Sequence, residues 1–336
     1  MPYILAFESS CDDTSVAVLD TSYQVKVNLT SAQPEHLRFG GVLPELASRL
    51  HLKNILLLTR NALEQADLKL TDLDAVAVSI NPGLIGSLLV GLSFAKSLAW
   101  SLSLPLITVN HMLAHIFANF IEHQELKPPF LALVVSGGHT ELVHFKTFTE
   151  FEIIGKTLDD AAGESFDKAA KLLGLGFPGG PIIDKLAQTG SADFIRFPRG
   201  LERKSSFNFS YSGLKTALRT WLSGQEDEYV KANLNSIAAS VQQAIIAPLI
   251  KKSLLYARSN GIPSILIAGG VAANSALRDQ LSRQAARYGI AVYFPSLPYC
   301  MDNAAMVAAA AVPKYQAGLF APLSVNAFSL KGTKIL

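Results

Sequence analysis

A short pattern that occurs twice constrains the fold most. Residues 4–7 are apolar, Glu8-Ser9-Ser10-Cys11-Asp12-Asp13-Thr14 is a polar stretch, and residues 15–19 are again mainly apolar. Much later, residues 131–135 are apolar, Ser136-Gly137-Gly138-His139-Thr140 is polar, and residues 142–145 return to apolar. Two apolar runs around a polar turn predict a β-hairpin. Its recurrence has two readings: the openings of two related halves, or a coincidental pair of hairpins. Apolar periodicity predicts helices over 43–66, 84–102 and 111–123, with strands over 74–80 and 106–109. The second half repeats the style. Helices are expected over 158–173, 213–221, 230–259, 275–288 and 303–316, with strands over 264–268 and 291–294. Strands alternating with helices make this an α/β chain. Phe177-Pro178-Gly179-Gly180-Pro181 predicts a sharp break, Lys127-Pro128-Pro129 a hinge, and residues 194–212 an exposed irregular loop.

Composition supports two lobes. The chain has 336 residues, 49% of them hydrophobic and 17% charged, which excludes disorder and allows a large core. A net charge of +2 is too small to mark a nucleic-acid binder by itself, so a nucleic-acid contact would be local or shared with a partner. Arg196, Arg199, Arg203 and Lys204 form one local basic segment, readable as a phosphate contact or as a solvated loop. The two cysteines, Cys11 and Cys300, make no disulfide framework and point to a reducing cytoplasm. The apolar run at residues 3–7 is too short for a signal peptide. The apolar stretch over 84–100 contains Ser87, Ser93, Lys96 and Ser97, and is expected as a buried helix rather than a membrane span.

Three groups of residues carry chemistry. His111 and His115 lie four apart on a predicted helix, so both imidazoles face one side. Imidazole suits zinc, iron, copper or nickel, though two histidines alone do not make a site. The zincin motif needs Glu after its first His, and Met112 stands there. Asp302 offers a third ligand, but it precedes an Ala-rich helix, where an N-cap aspartate is the ordinary reading. Two His and one carboxylate would form a facial site with open positions. Glycine turns form the second group. Ser136-Gly137-Gly138 and Gly269-Gly270 each follow an apolar strand and suggest nucleotide contacts; neither is a P-loop or a Rossmann fingerprint. The third group is acidic: Glu8, Asp12 and Asp13 early, then Asp159, Asp160, Glu164, Asp167 and Asp184. Asp159 reads as solvated, and Asp160, Glu164 and Asp167 as neighbours on one helical face.

These residues resemble a family. The runs are Glu8-Ser9-Ser10-Cys11-Asp12-Asp13-Thr14, Gly40-Gly41-Val42-Leu43-Pro44-Glu45-Leu46-Ala47-Ser48-Arg49, His111 with His115, and Val134-Val135-Ser136-Gly137-Gly138-His139-Thr140. Asp160-Ala161-Ala162-Gly163-Glu164-Ser165-Phe166-Asp167-Lys168, Phe209-Ser210-Tyr211-Ser212-Gly213-Leu214-Lys215-Thr216, Ala268-Gly269-Gly270-Val271-Ala272-Ala273-Asn274 and Asp302-Asn303 complete them. Together they are similar to the bacterial tRNA N6-adenosine threonylcarbamoyltransferases, formerly labelled glycoprotein endopeptidases. Three positions depart from the family pattern: Asp13 replaces a usual Glu, Asn81 a usual Gly before Pro82-Gly83, and Ala114 a usual Gly.

The resemblance implies a duplicated actin-like, sugar-kinase and Hsp70 (ASKHA) fold, with two lobes around a nucleotide cleft. On that reading residues 1–127 form the N-terminal lobe with the metal helix. Residues 128–312 form the C-terminal lobe, and 313–336 a tail packing back toward the first. It implies one iron, or zinc, on His111, His115 and Asp302. It implies substrate contacts from Val134, Val135, Ser136, Gly137, Gly138, Asp167, Gly180, Asp184 and Asn274. The expected donor is threonylcarbamoyl-adenylate, and the acceptor is the adenosine 3′ to the anticodon in tRNAs reading codons that start with A. The expected partners are tRNA, an inactive paralogous subunit and a P-loop ATPase, in the cytoplasm and away from membranes. Asp12 is a candidate for orienting the amine or taking its proton. A small-molecule kinase and a non-catalytic nucleotide- or tRNA-binding scaffold are the alternatives, since one fold hosts many reactions.

Overall fold

The computed structural model describes residues 1–39, 41–148, 150–201 and 206–328. Gly40, Arg203 and Lys204, which the sequence reading uses, lie outside these. The chain divides into two compact units, Met1–Leu126 with Pro295–Leu336, and Lys127–Phe294.

The first unit opens with β1 (Tyr3–Glu8), β2 (Thr14–Asp20) and β3 (Val25–Ser31). Helix α1 (Pro44–Gln65), β4 (Ala75–Asn81), α2 (Ile85–Leu102), β5 (Leu106–Asn110) and α3 (His111–Phe117) follow. The sheet order is β3-β2-β1-β4-β5. The three leading strands pair antiparallel, and β1–β4 and β4–β5 pair parallel. Every residue of β2 and β4 is buried, as expected for central strands covered on both faces.

The second unit runs β6 (Phe130–Val135), β7 (Thr140–Phe145), β8 (Phe151–Lys156), α4 (Ala162–Leu172), α5 (Gly179–Ala187) and α6 (Ser212–Leu222). It continues with α7 (Asp227–Ala232), α8 (Leu234–Ser259), β9 (Ser264–Ala268), α9 (Ser275–Ala286) and β10 (Ala291–Tyr293). Its sheet order, β8-β7-β6-β9-β10, repeats that of the first unit strand for strand. The pairing senses repeat too: two antiparallel ladders, then two parallel ones. The two sequence hairpins are therefore equivalent parts of a duplicated architecture.

The chain then rejoins the first unit through α10 (Leu297–Cys300) and α11 (Ala304–Gln316). Every residue from Ala304 to Val312 is buried, and α11 packs on β1, β2 and α3. The boundary expected at residue 312 assigned this helix to the second lobe; the structure assigns it to the first. A helix with small side chains all round presents no polar face and sits in a core. Beyond it, Ala321 bridges to Leu106, and Phe328 donates its N–H to the Ile80 carbonyl. The Lys96 amine donates to the Val325 carbonyl.

Other expectations need correction. Helix α2 is not buried throughout. Ser87, Leu88, Gly91, Leu92, Ala95 and Ala99 form its buried face, while Ile85, Leu89 and Trp100 are exposed. The helix expected over 158–173 begins at Ala162, leaving Asp159 and Asp160 in the preceding turn. The break at 177–181 is short, because α5 already starts at Gly179. The helix expected over 111–123 is α-helical only to Phe117 and continues as a 3-10 turn over Ala118–Ile121. Of the segment expected as an exposed loop over 194–212, the described residues 194–201 and 206–211 are irregular but not simply exposed: Phe197, Phe209 and Tyr211 are buried, and Ser212 already opens α6.

Candidate metal centre and nucleotide turns

In the first unit β5 ends at Asn110 and α3 begins at His111 without a loop. The Asn110 side chain makes this abrupt start feasible, accepting from the Met112 and Leu113 amides at 2.9 and 3.1 Å. The spacing of four then stacks the two imidazoles edge to face, with ring centroids 4.6 Å apart. Asp302 comes from the turn before α11. The capping role expected for it belongs to Asn303, whose side chain accepts from the Met306 amide at 3.0 Å. Two more of that helix's first amides are satisfied elsewhere. Ala304 N–H donates to Ser15 Oγ at 2.8 Å, and Ala305 N–H to Asn28 Oδ1 at 3.2 Å. Asp302 is thereby released to face the histidines. Its Oδ1 lies 3.1 Å from His115 Nε2 and 3.5 Å from His111 Nε2.

The residues fit a metal. One ligand atom from each of His111, His115 and Asp302 falls within 4.8 Å of the others. Ligands about 2.1 Å from an ion at tetrahedral or octahedral angles stand roughly 3–3.5 Å apart, close to the 3.1 and 3.5 Å between Asp302 Oδ1 and the two Nε2 atoms. His115 is buried, and neither ring nitrogen has a hydrogen-bond partner in good geometry, although Nε2 sits beside Asp302. A buried imidazole left without a partner is costly unless something binds it. Nearby carboxylates give the same indication. Burial, then Asp302, Asp12 and Glu8, push the Asp13 carboxyl up to about 7. Burial pushes His111 down, but Glu8 and Asp302 outweigh it and raise the ring to about 9. Burial opposes the charge on Glu8 as well, yet the facing His111 holds it below the usual carboxylate value. A dication would relieve the carboxylate repulsion and replace the proton on His111.

The turn at residues 9–13 is held from below. His51, fully buried on α1, pairs through Nδ1 with Thr14 Oγ1 at 2.7 Å and through Nε2 with the Cys11 carbonyl at 2.9 Å. Burial lowers its basicity, which favours the neutral ring. Leu84 N–H donates to the Ser10 carbonyl at 2.7 Å, and a Cβ at Gly83 would stand 2.5 Å from that oxygen. The glycine in Asn81-Pro82-Gly83 is needed for this close approach. Asp12 and Asp13 are half-buried in the turn.

In the second unit Val134 and Val135 are buried in β6, and the turn Ser136-Gly137-Gly138 follows. A Cβ at Gly137 or Gly138 would meet nothing within 4 Å, so open space lies beside them. Gly163 packs against this turn: its N–H donates to the Ser136 carbonyl at 3.2 Å, and an added Cβ would approach that oxygen to 2.6 Å. Asp167 on α4 accepts from the Gly179 amide at 2.7 Å and so ties down the start of α5, where Gly180 also faces open space. Asp184 and Asn274 are joined. Asn274 caps α9 and donates to Gln242 Oε1 at 2.7 Å and Asp184 Oδ1 at 3.2 Å. Asp184 also accepts from the Ser275 hydroxyl and amide.

Two acidic side chains here do otherwise than the sequence reading expected, and a third residue went unread. Asp159, expected to be solvated, accepts from Ser210 Oγ, Ser212 Oγ and the Tyr211 and Ser212 amides. Burial resists its charge, but these donors hold it below the usual carboxylate range. Asp160 lies outside the helix, yet Lys168 bridges it at 2.5 Å and Glu164 at 2.9 Å. Gln242, buried on α8, carried no sequence signal at all.

A duplicated five-stranded α/β unit defines the ASKHA class, and the first unit adds a His–His–carboxylate cluster of the kind that holds catalytic metals. Solved structures share the fold. T. kodakarensis HypF superimposes with a TM-score of 0.64 at 15% identity, over 95% of this chain and 48% of that one. Component A of the Acidaminococcus fermentans (R)-2-hydroxyglutaryl-CoA dehydratase gives 0.57 at 15% identity, over 94% and 99%. Residues 24–309 match the family model described as TsaD, tRNA N6-adenosine threonylcarbamoyltransferase. The protein of that name from Clostridium beijerinckii is 48% identical over 96% of both chains. The chain belongs to the tRNA N6-adenosine threonylcarbamoyltransferase family.

Proposed function

We propose that His111, His115 and Asp302 hold one divalent iron, with zinc as the other candidate, and that this centre serves the family's acyl transfer. The chain is a transferase that makes threonylcarbamoyladenosine in tRNA. The donor is threonylcarbamoyl-adenylate, and the acceptor is the N6 amine of the adenosine 3′ to the anticodon in tRNAs reading codons that start with A. A bond forms between N6 and the carbamoyl carbon, the carbon–oxygen bond to phosphate breaks, and AMP leaves. The metal, when bound, supplies Lewis-acid polarisation of a donor oxygen.

The chain's own residues do the rest. Asp12 accepts the proton released by N6, or orients that amine. Backbone N–H groups at Gly137 and Gly138 hold donor oxygens, which the open space beside both glycines supports. Val134, Val135, Ser136, Asp167, Gly180, Asp184 and Asn274 shape the adenylate subsite. Asp184 and Asn274 brace each other through their shared hydrogen bond, so each keeps the other's position.

The partners are tRNA, an inactive paralogue and a P-loop ATPase, and the compartment is the cytoplasm. An apolar exposed surface supports a protein partner: Leu52 and Leu56 on α1, and Ile85, Leu89 and Trp100 on α2. Cys11 and Cys300 form no disulfide with each other, which suits a reducing compartment.

The observation that carries this reading is the buried His115, whose ring nitrogens make no hydrogen bond, clustered with His111 and Asp302. Anaerobically purified protein, unmodified tRNA and threonylcarbamoyl-adenylate, with and without the partners, provide the test. Mass spectrometry of digested tRNA is expected to show threonylcarbamoyladenosine. The His111→Ala/His115→Ala variant is expected to show neither product nor bound metal. Unchanged product in that variant would remove the centre from the reaction.

A further inference from the structure

Glu8 ends β1 and is 1% exposed, with no solvent to share its charge. Both of its oxygens are engaged. Oε1 accepts the Ser10 amide at 2.6 Å, and Oε2 lies 3.0 Å from His111 Nδ1. The opposite nitrogen, His111 Nε2, faces Asp302 and the His115 ring. A carboxylate only accepts, so Nδ1 must carry a proton toward Glu8. A neutral imidazole protonated at Nδ1 presents its lone pair at Nε2, the atom aimed at the centre. Ser10 Oγ lies 3.1 Å from the same Nδ1. A hydroxyl alone could donate there and select the opposite tautomer, so Ser10 cannot fix the ring by itself.

We infer that Glu8 is the positioning residue of the metal centre, setting the tautomer and orientation of His111 through Nδ1. The inference rests on the metal reading proposed above. The double acceptance explains why only a carboxylate serves. A glutamine has one acceptor oxygen. Turned toward His111, it leaves its amide facing the Ser10 N–H, donor against donor. Turned toward Ser10, it donates to Nδ1 and puts the ring proton on Nε2. Outer partners of this kind are worth about 10–100-fold in metal affinity.

The test measures zinc affinity of the full chain by chelator competition, with circular dichroism on every variant. Glu8→Gln is expected to weaken zinc about 10–100-fold and to alter the visible spectrum of the cobalt-loaded protein. Glu8→Asp keeps two acceptor oxygens and is expected to lose less. In a His111→Ala background, Glu8→Gln is expected to change the residual affinity no further, because its effect travels through His111. Wild-type affinity in Glu8→Gln, or an equal loss in the His111→Ala background, would overturn the inference and leave the metal reading intact. Absence of zinc binding by the wild type would overturn both. Should Glu8→Gln not fold, the same cycle run with Glu8→Asp decides between these results.

Discussion

At the scale of single residues, neighbours in sequence do different jobs. Asp302 faces the histidines and Asn303 caps α11, so their substitutions separate. Asn303→Ala is expected to lower unfolding stability by about 1 kcal/mol with metal stoichiometry kept. Asp302→Asn keeps the shape but removes an anionic ligand, and zinc affinity is expected to fall at least about tenfold. Calorimetric melts and metal analysis of the two variants check this pair. Asp159 gives a pH signature. Its carboxyl is held below its ordinary value in the folded chain by Ser210, Ser212 and two amides. Its contribution is therefore present above the unfolded value of about 3.9 and lost as pH falls through the lower folded value. The stability difference between wild type and Asp159→Asn is expected to be constant near neutral pH and to shrink below about pH 4. Thermal melts across pH 3–7 measure it, and a difference growing toward acid would contradict the assignment.

At the scale of elements, two glycines of the second unit predict opposite behaviour. Gly163→Ala would drive a Cβ to 2.6 Å from the Ser136 carbonyl and 2.8 Å from Gly137 Cα. The turn must shift, at about 1–3 kcal/mol. Gly180→Ala meets no atom within 4 Å and sits in the first turn of α5. Its stability is expected to stay level or rise by up to about 1 kcal/mol, while titration with AMP is expected to show weaker binding. Much of this architecture was legible. The apolar runs marked β1, β2, β6 and β7, and helical periodicity marked α1 and α9 within a few residues. The third strand of each sheet was missed, because β3 (VKVNLTS) and β8 (FEIIGK) are partly exposed edges with weak apolar patterns. The candidate metal ligands could be named, but Asp302 alone read first as a cap. Only the fold brings Asn28 and Ser15 to the amides of α11 and releases the aspartate. Gln242 and Asp159 act through partners at least 32 residues away in sequence, beyond any local pattern.

At the scale of the whole molecule, the exposed apolar residues of α1 and α2 have a testable role. Leu56→Glu with Leu89→Glu replaces two side chains that are 67% and 44% exposed. Stability of the isolated protein is expected to change by no more than about 0.5 kcal/mol, while binding to the paralogous partner is expected to be lost in analytical ultracentrifugation. The return of α11 to the first unit has another consequence, which concerns the order of synthesis. The second unit is one continuous stretch, Lys127–Phe294, and all of it leaves the ribosome before α11 does. The unit begun first is completed last. Its sheet waits for nine buried residues from Ala304 to Val312, and the candidate metal cluster waits for Asp302. Once residues up to 294 have emerged, the second unit is complete in sequence while the first still lacks α11, and His111 and His115 are present without Asp302.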